Sequence, residues 1–383
     1  MNICFVSGNY KIGGAEKVAV EIGKYLNQDF SVFFFGLNGN SNEYNIANEN
    51  IKFNKEKNFF LKVSNKLFKE YNFIKKGEYV PSDFNIIEIE NFVLFCDEYS
   101  IDCIIFNQGN MIALIPEIKK RLKNKDTKLI SWVHSNYEIY EKKYFKKCKK
   151  SLNAGLALSD AVICLTPIDK NEYVKLNPMT FFIPNPLTIS SNEKADLSTK
   201  NIILTSRVNF KTKGIDYLFP ISKQLPDGWN IVVAGPMTKI SKTQKLFYSI
   251  KNRSFKKIKF VGKKSGMELV QHYLSGSIFL STSRWEGFGL SITEAMSFGL
   301  PIITFDTLGP KYILDKGKYG VIVSKNDVDD MIKQINILIN DEQLREEYAH
   351  LAYKRSEDFK IGRIYLEWKK VFEKIELVNT NGN

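Results

Sequence analysis

Short apolar runs alternate with helical stretches along the whole chain, and this alternation constrains the fold more than any other feature. A strand buried on both faces reads as a continuous apolar run, and a helix between two such strands returns the chain so that the next runs parallel. In the first half the runs are NICFVS (2–7), SVFFFGL (31–37), IDCIIFN (101–107), KLISWVH (128–134), AVICLT (161–166) and TFFIPNP (180–186). A second series holds NIILTSRV (201–208), WNIVVAG (229–235), KKIKFVG (256–262), SIFLST (277–282), PIITFD (301–306) and GVIVS (320–324). Between them PNPLTISSNEKADLSTK (184–200) has two prolines, several serines and no apolar period, so it reads as an interdomain connection. The expected fold class is α/β, with two doubly wound parallel sheets on one linker. A length of 383 residues suits two domains of about 150 to 200 residues each, and two domains imply a cleft. The stretch 40–100 has no clear period and its elements stay unassigned. The tail is helical from Asp341 apart from a break near Phe359 to Gly362, with Tyr365, Trp368 and Phe372 on one stripe of the last helix. The closing NTNGN is expected to fray.

Apolar residues make up 44% and charged residues 25%, the balance of a globular protein rather than a disordered or fibrous one. No run approaches the roughly 18 apolar residues that span a bilayer. The start, MNICFVSGNYKIGG, reads as a strand and a turn rather than a signal peptide. Cys4, Cys96, Cys103, Cys148 and Cys164 are odd in number and lack C-x-x-C spacing, so a reducing cytoplasm is expected rather than a disulfide scaffold. The formal charge is +13, with PEIKKRLKNKDTK from 116 and EKKYFKKCKK from 141 contributing heavily. The second stretch sets its lysines beside Tyr144 and Phe145, which suits peripheral contact with anionic membrane. A merely solvated lysine-rich face is the reading the sequence favours over it. No zinc-finger spacing, helix-turn-helix signature or aromatic-basic sheet motif accompanies the charge, so nucleic acid is not an expected partner.

The segment EGFGLSITEAMSFGLP from Glu286 has a physical logic of its own. Gly287 and Gly289 permit a tight turn, a helix runs from about Leu290 to Phe298, and Gly299 can take the left-handed cap before Pro301 opens the next strand. The free amides of Phe288, Gly289 and Leu290 at the helix start form an anion site. Carboxylates repel phosphate, so Glu286 and Glu294 are better suited to accept hydrogen bonds from hydroxyls. A nucleotide-sugar, with ribose, diphosphate and sugar in line, satisfies both demands. Cations come from TSRVNFKTKGIDYLF: Arg207 just beyond a strand's carboxyl end, and Lys213 immediately before Gly214, where the next helix is expected to start. Ligands of open parallel sheets bind at that edge, and two cations there can neutralise a departing diphosphate. Lys211 is a rival to Lys213.

In the first half, Gly13 and Gly14 fall between a strand and a helix without G-x-G-x-x-G spacing, and strand two ends FFFGLNG without an acid, which weakens a dinucleotide reading. A Walker motif and a G-x-S-x-G elbow are both missing. Of three histidines, His134 closes a strand where crevice residues gather, while His272 and His350 lie in helical stretches. So few histidines and no cysteine pairs argue against a zinc centre.

These residues carry a resemblance. The chain is similar to the GT-B glycosyltransferases of family 4, a retaining, metal-independent group that includes many bacterial lipopolysaccharide, capsule and mannoside transferases. Glu286 with seven residues before Glu294 is the specific part, supported by GGAE (13–16), SRVNFKTKG (206–214), VAG (233–235), KFVGK (259–263) and Gly309-Pro310. The likeness covers roughly residues 1–370. It implies an acceptor-side Rossmann-like domain over 1–185, a donor domain over 186–360 facing it across a cleft, and a C-terminal helix over 361–383 packing back toward the first. It also implies that Arg207 and Lys213 bind the donor diphosphate, the Phe288 to Leu290 backbone cradles the distal phosphate, Glu294 holds the ribose and Glu286 the transferred sugar. His134 would sit beside the reacting centre, Gly14 would let its loop approach the diphosphate, and Val261 would lie near the base. Ser206-Arg207 stands where the family usually has Gly-Arg. SNYE after His134 lacks a histidine-glycine seen in some members.

The implied reaction is retaining transfer of a hexosyl group, from a UDP-hexose, to a hydroxyl of a glycan or lipid-linked glycan by front-face substitution. No cofactor and no metal is expected, and the expected place is the cytoplasm, peripherally at the inner face of the plasma membrane. The choice of uridine rests on the frequency of such donors and on FDTLGP (305–310). A non-hydrolysing nucleotide-sugar epimerase of similar fold and a catalytically silent scaffold subunit are the competing readings. Oligomeric state is not legible.

Overall fold

The computed structural model describes residues 1–237 and 256–376, which divide into two compact units. One unit comprises Met1–Pro186 and the chain from Ile361 onward; the other is Leu187–Lys360. The closing NTNGN lies outside the described residues.

The first unit holds a parallel sheet of β1 (Asn2–Ser7), β2 (Ser31–Gly36), β3 (Ile51–Phe53), β4 (Cys103–Asn107), β5 (Lys128–Trp132), β6 (Ala161–Cys164) and β7 (Thr180–Phe182). Its order is β3-β2-β1-β4-β5-β6-β7. The chain builds outward from β1 in one direction and then restarts beside β1 in the other. The strand order therefore reverses between β1 and β4, and at such a point two loops diverge and leave a crevice at the carboxyl edge. The segment 40–100 supplies edge strand β3 and the helices Phe59–Lys76 and Ile86–Glu98. The second of these buries Ile89, Phe92, Val93 and Phe95.

The helix Ile361–Lys374 belongs to this unit because of its apolar stripe. Trp368 is fully buried with its ring 4.8 Å from that of Trp132, and Phe372 meets Phe30 edge-on at 5.7 Å. Tyr365 lies 5.0 Å from Tyr25 but is only half-buried, so Ile364 and Val371 complete the buried stripe in its place.

The second unit repeats the plan with β8 (Asn201–Thr205), β9 (Asn230–Ala234), β10 (Ile258–Gly262), β11 (Ile278–Ser281), β12 (Ile302–Phe305) and β13 (Val321–Val323). Here the order is β10-β9-β8-β11-β12-β13, again all parallel, and the reversal falls between β8 and β11. A core of Ile202, Leu204, Ile231, Val233, Ile278, Leu280, Ile303 and Phe305 fills one face of the sheet. The stretch 187–200 lies against this unit: Leu187 N–H donates to Phe359 O at 2.7 Å and Ala195 N–H to Phe298 O at 2.9 Å.

Candidate active site

The reversal between β8 and β11 fixes the second unit's site. Beyond β8 the chain makes a one-turn helix, Phe210–Lys213, started by the Asn209 side chain accepting from Thr212 N–H at 2.9 Å. Gly214 ends that turn in the left-handed region at φ +60°, and a Cβ there would fall 2.2 Å from Thr282 O. Lys213 is the last residue of that turn, and Gly214 both closes it and caps the 3-10 helix Ile215–Tyr217 that follows, so a helix does start at Gly214. Beyond β11, Thr282 Oγ1 donates to Lys213 O at 2.9 Å and Arg284 N–H to Thr212 O at 2.9 Å. The two loops at the reversal are sewn together by these bonds.

Their side chains meet as well. Lys213 Nζ lies 2.5 Å from Glu286 Oε2, with both side chains about four-fifths shielded, at 19% and 21% exposure. Partial burial strengthens the pair by lowering the local dielectric. Three residues on, Gly289 has φ +113° and begins the helix Leu290–Ser297; a Cβ on it would lie 3.5 Å from Glu286 Cγ. The free amides of the first helical turn therefore open next to the Lys213–Glu286 pair. The helix ends at Ser297, and Gly299 follows at φ +70°.

Glu294 is buried on that helix and already accepts two hydroxyls of its own chain: Thr188 Oγ1 at 2.5 Å and Tyr273 OH at 2.6 Å. Burial and then the Glu294 carboxylate push the Tyr273 hydroxyl well above its ordinary range, so it stays a donor. A carboxylate has about four acceptor sites, which leaves capacity for a further hydroxyl. Arg207 lies exposed beyond β8 on the side of β9, where Val208 bridges to Met237. Lys211 is exposed too.

Three residues of this neighbourhood gave no sign in the sequence. Arg284 makes a two-pronged bond to Asp216 at 2.9 and 2.7 Å, packs 4.2 Å over the Tyr217 ring and donates to Phe210 O. Its charge is committed to holding the Lys213 loop. Thr188, in the linker, and Tyr273, one residue after His272, are separated from Glu294 by far too much chain for spacing to link them.

The first unit's reversal carries a second polar cluster. Gly14 is exposed at the start of the helix Gly14–Leu26, and Tyr44 OH bonds both Gly13 N–H and Gly13 O at 2.9 Å. Across that reversal Gln108 donates to Glu16 at 2.6 Å, and Asn107 donates to Ser7 Oγ at 2.7 Å. His134 follows β5, half-buried as a residue but with Nε2 wholly shielded and without a hydrogen-bond partner. Its ring packs on Trp132 at 4.6 Å, and burial pushes its pKa down to about 3. Tyr140 OH accepts from the backbone N–H groups of both His134, at 3.3 Å, and Gly109, at 3.2 Å, tying the loops after β4 and β5.

His272 is buried in the helix Met267–Leu274 with Nε2 at 3.1 Å from Leu204 O, a structural contact. His350 is exposed. All five cysteines are free and buried. Among the described residues no group of three or more His, Cys, Asp or Glu is arranged to hold a metal ion. No helix among them is long and apolar enough to cross a membrane.

The two doubly wound parallel sheets, each with its crevice at a strand-order reversal, define a GT-B fold, and known proteins agree. A sucrose-phosphate synthase from Thermosynechococcus elongatus superposes with a TM-score of 0.76 at 15% identity, over 99% of this chain and 100% of its own. Alr3699/HepE of Anabaena, solved in complex with UDP, gives 0.76 at 17% identity over 98% and 100%. In sequence, residues 189–355 match the family described as glycosyl transferases group 1. An uncharacterized glycosyltransferase of Haemophilus influenzae is 26% identical over 96% of this chain and 98% of its own. The GalNAc-α-(1→4)-GalNAc-α-(1→3)-diNAcBac-PP-undecaprenol α-1,4-N-acetyl-D-galactosaminyltransferase of Campylobacter jejuni is 24% identical over 98% and 99%. The chain is a GT-B glycosyltransferase, and its second unit carries the group 1 domain.

Proposed function

We propose that this glycosyltransferase moves a hexosyl group from a UDP-hexose to a hydroxyl of a glycan or lipid-linked glycan, with retention of configuration and without a metal. The observation that carries the reading is the Lys213–Glu286 pair at 2.5 Å beside the glycine-started helix at the β8/β11 reversal. A donor diphosphate takes Lys213 and Arg207 as counter-charges and the Phe288, Gly289 and Leu290 amides as hydrogen-bond donors. As the diphosphate takes over the lysine, Glu286 is released to accept hydroxyls of the sugar. Glu294, held by Tyr273 and Thr188, accepts from the ribose.

In the reaction the bond from the sugar's anomeric carbon to the diphosphate oxygen breaks, and positive charge builds on the carbon. The acceptor oxygen forms its bond on the same face, and its proton passes to the departing phosphate oxygen. The protein stabilises the negative charge growing on the diphosphate, which fixed cations and amides achieve without reorganising. His134 acts as a neutral imidazole: with a pKa near 3 it carries no charge at neutral pH and serves a sugar hydroxyl as a hydrogen-bonding group. Gly14 is assigned to close approach of backbone to the donor phosphates, as the family resemblance implies.

Uridine is supported by structural relatives solved with UDP and with UDP-glucose, and a lipid-linked glycan acceptor by the name of the Campylobacter relative. The test incubates the full chain with UDP-glucose, UDP-galactose and their N-acetylated forms, with GDP-sugars in parallel, and follows release of nucleoside diphosphate with and without a chelator. Slow UDP release that survives chelation is the expected result. Release from GDP-sugars alone would overturn the base, and loss of activity on chelation would overturn metal independence.

A further inference from the structure

The helix Phe59–Lys76 packs with its polarity reversed. Its 18 residues include none that are buried. Phe60, Val63, Leu67, Tyr71 and Ile74 recur at helical spacing of three and four, so they form a single stripe. They are exposed at 83%, 42%, 65%, 54% and 82%. The flank turned toward the rest of the unit instead carries Asn65, Lys69 and Asn72 with Phe73, all half-buried. Isolated apolar side chains on a surface mean little, but a contiguous stripe of this length marks an interaction site. The helix is well terminated, since Asn58 accepts from Leu61 N–H at 2.8 Å and Gly77 closes its end at φ +76°. The stripe is therefore a built feature about 21 Å long.

What surrounds the stripe is basic. The helix contributes Lys62, Lys66, Lys69, Lys75 and Lys76 against the single acid Glu70. The lysine-rich stretch 142–150 lies beside it: Lys147 Nζ is 2.6 Å from Glu70 and 5.0 Å from the Phe73 ring centre, and Lys147 O accepts from Tyr79 N–H at 2.9 Å. Lys150 pairs with Glu78 at 2.7 Å. Glu56, Glu70, Glu78, Glu138 and Glu141 pair with lysines of the patch, yet the two segments bring eleven lysines together. Along one edge of the helix Lys62, Lys66 and Lys69 join Lys57 around a cavity of about 430 Å³.

We propose that the helix Phe59–Lys76 docks this glycosyltransferase on an anionic lipid bilayer, lying in the interface with its apolar stripe among the acyl chains and the lysines on the headgroups. A helix with an apolar stripe, a basic rim and too many lysines to span suits that position, where area and charge both contribute. A second copy of the chain fits less well, because its face would bring the same lysines against these.

The experiment co-sediments the full chain with vesicles of phosphatidylcholine alone and of phosphatidylcholine with phosphatidylglycerol in equal parts. Strong retention on the anionic vesicles, about tenfold weaker on the neutral ones, is expected. The combined variant Phe60→Ser, Leu67→Ser, Ile74→Ser loses retention at least tenfold, with its Tm unchanged because these side chains support no core. A second variant, Lys66→Glu with Lys146→Glu, keeps the stripe and loses the preference for anionic vesicles. The proposal is overturned if the wild-type chain ignores both vesicle types, or if either variant binds as the wild type does. Sedimentation equilibrium that shows a dimer abolished by the serine substitutions would likewise overturn it, assigning the stripe to a second copy.

Discussion

Lys213 and Glu286 neutralise each other at 2.5 Å, and this has a consequence for how the carboxylate and the donor compete. A diphosphate arriving at Lys213 must displace Glu286 as its counter-charge. Substituting Glu286→Gln is therefore expected to leave UDP affinity equal or higher while sugar transfer falls by about two orders of magnitude. Calorimetric UDP titration and steady-state turnover of the same preparation check this split; a parallel fall in UDP affinity would place the carboxylate in a structural role. His134 offers a second residue-scale test, read through stability. Its pKa drops from the ordinary 6.5 to about 3 in the fold, so between those values the unfolded chain binds a proton that the folded chain refuses. The stability this histidine contributes is full above pH 6.5 and is lost as pH falls toward 3. His134→Asn should flatten the acid limb of a Tm-against-pH curve, with His272, lowered to about 4, leaving a residual slope in both proteins. Arg207, Lys213, Glu286 and the glycines could be picked out as candidates because each stands near a strand end or helix start, and Glu294 by its spacing from Glu286 along the helix Leu290–Ser297. Arg284, Thr188 and Tyr273 were not, since their partners lie 68, 106 and 21 residues away.

Among elements, strands were the most readable. Buried parallel strands are continuous apolar runs, and every one of the quoted runs contains a strand, with the structure trimming up to four residues from a run. The region 40–100 defeated that reading for two physical reasons. Edge strand β3 is only Ile51–Phe53, too short to show a period. The helix Phe59–Lys76 turns its apolar side outward, so the usual inference from pattern to buried face fails. By contrast the last helix announces its burial. Trp368, fully shielded and packed edge-on against Trp132, anchors that helix to the first unit, and Trp368→Ala is expected to cost about 3–5 kcal/mol. Chemical denaturation checks the figure; a loss under about 1 kcal/mol would show that the helix contributes little to the unit's stability.

For the molecule as a whole, the same design appears twice: a parallel sheet whose strand order reverses once, with polar side chains gathered at the reversal. In the second unit those side chains match a nucleoside diphosphate in charge and a ribose in hydrogen bonding. In the first they are a neutral histidine and a Gln108–Glu16 pair, better matched to uncharged hydroxyls, beside the glycine loop proposed to approach the phosphates. The most direct measurement is UDP binding by calorimetry to the wild-type chain and to Arg207→Ala, Lys213→Ala and Lys211→Ala. Loss of about tenfold or more in affinity for the first two, with Lys211→Ala binding as the wild type does, is the predicted pattern. Undiminished binding to both Arg207→Ala and Lys213→Ala would contradict the claim that the second unit grips the donor diphosphate through those two cations.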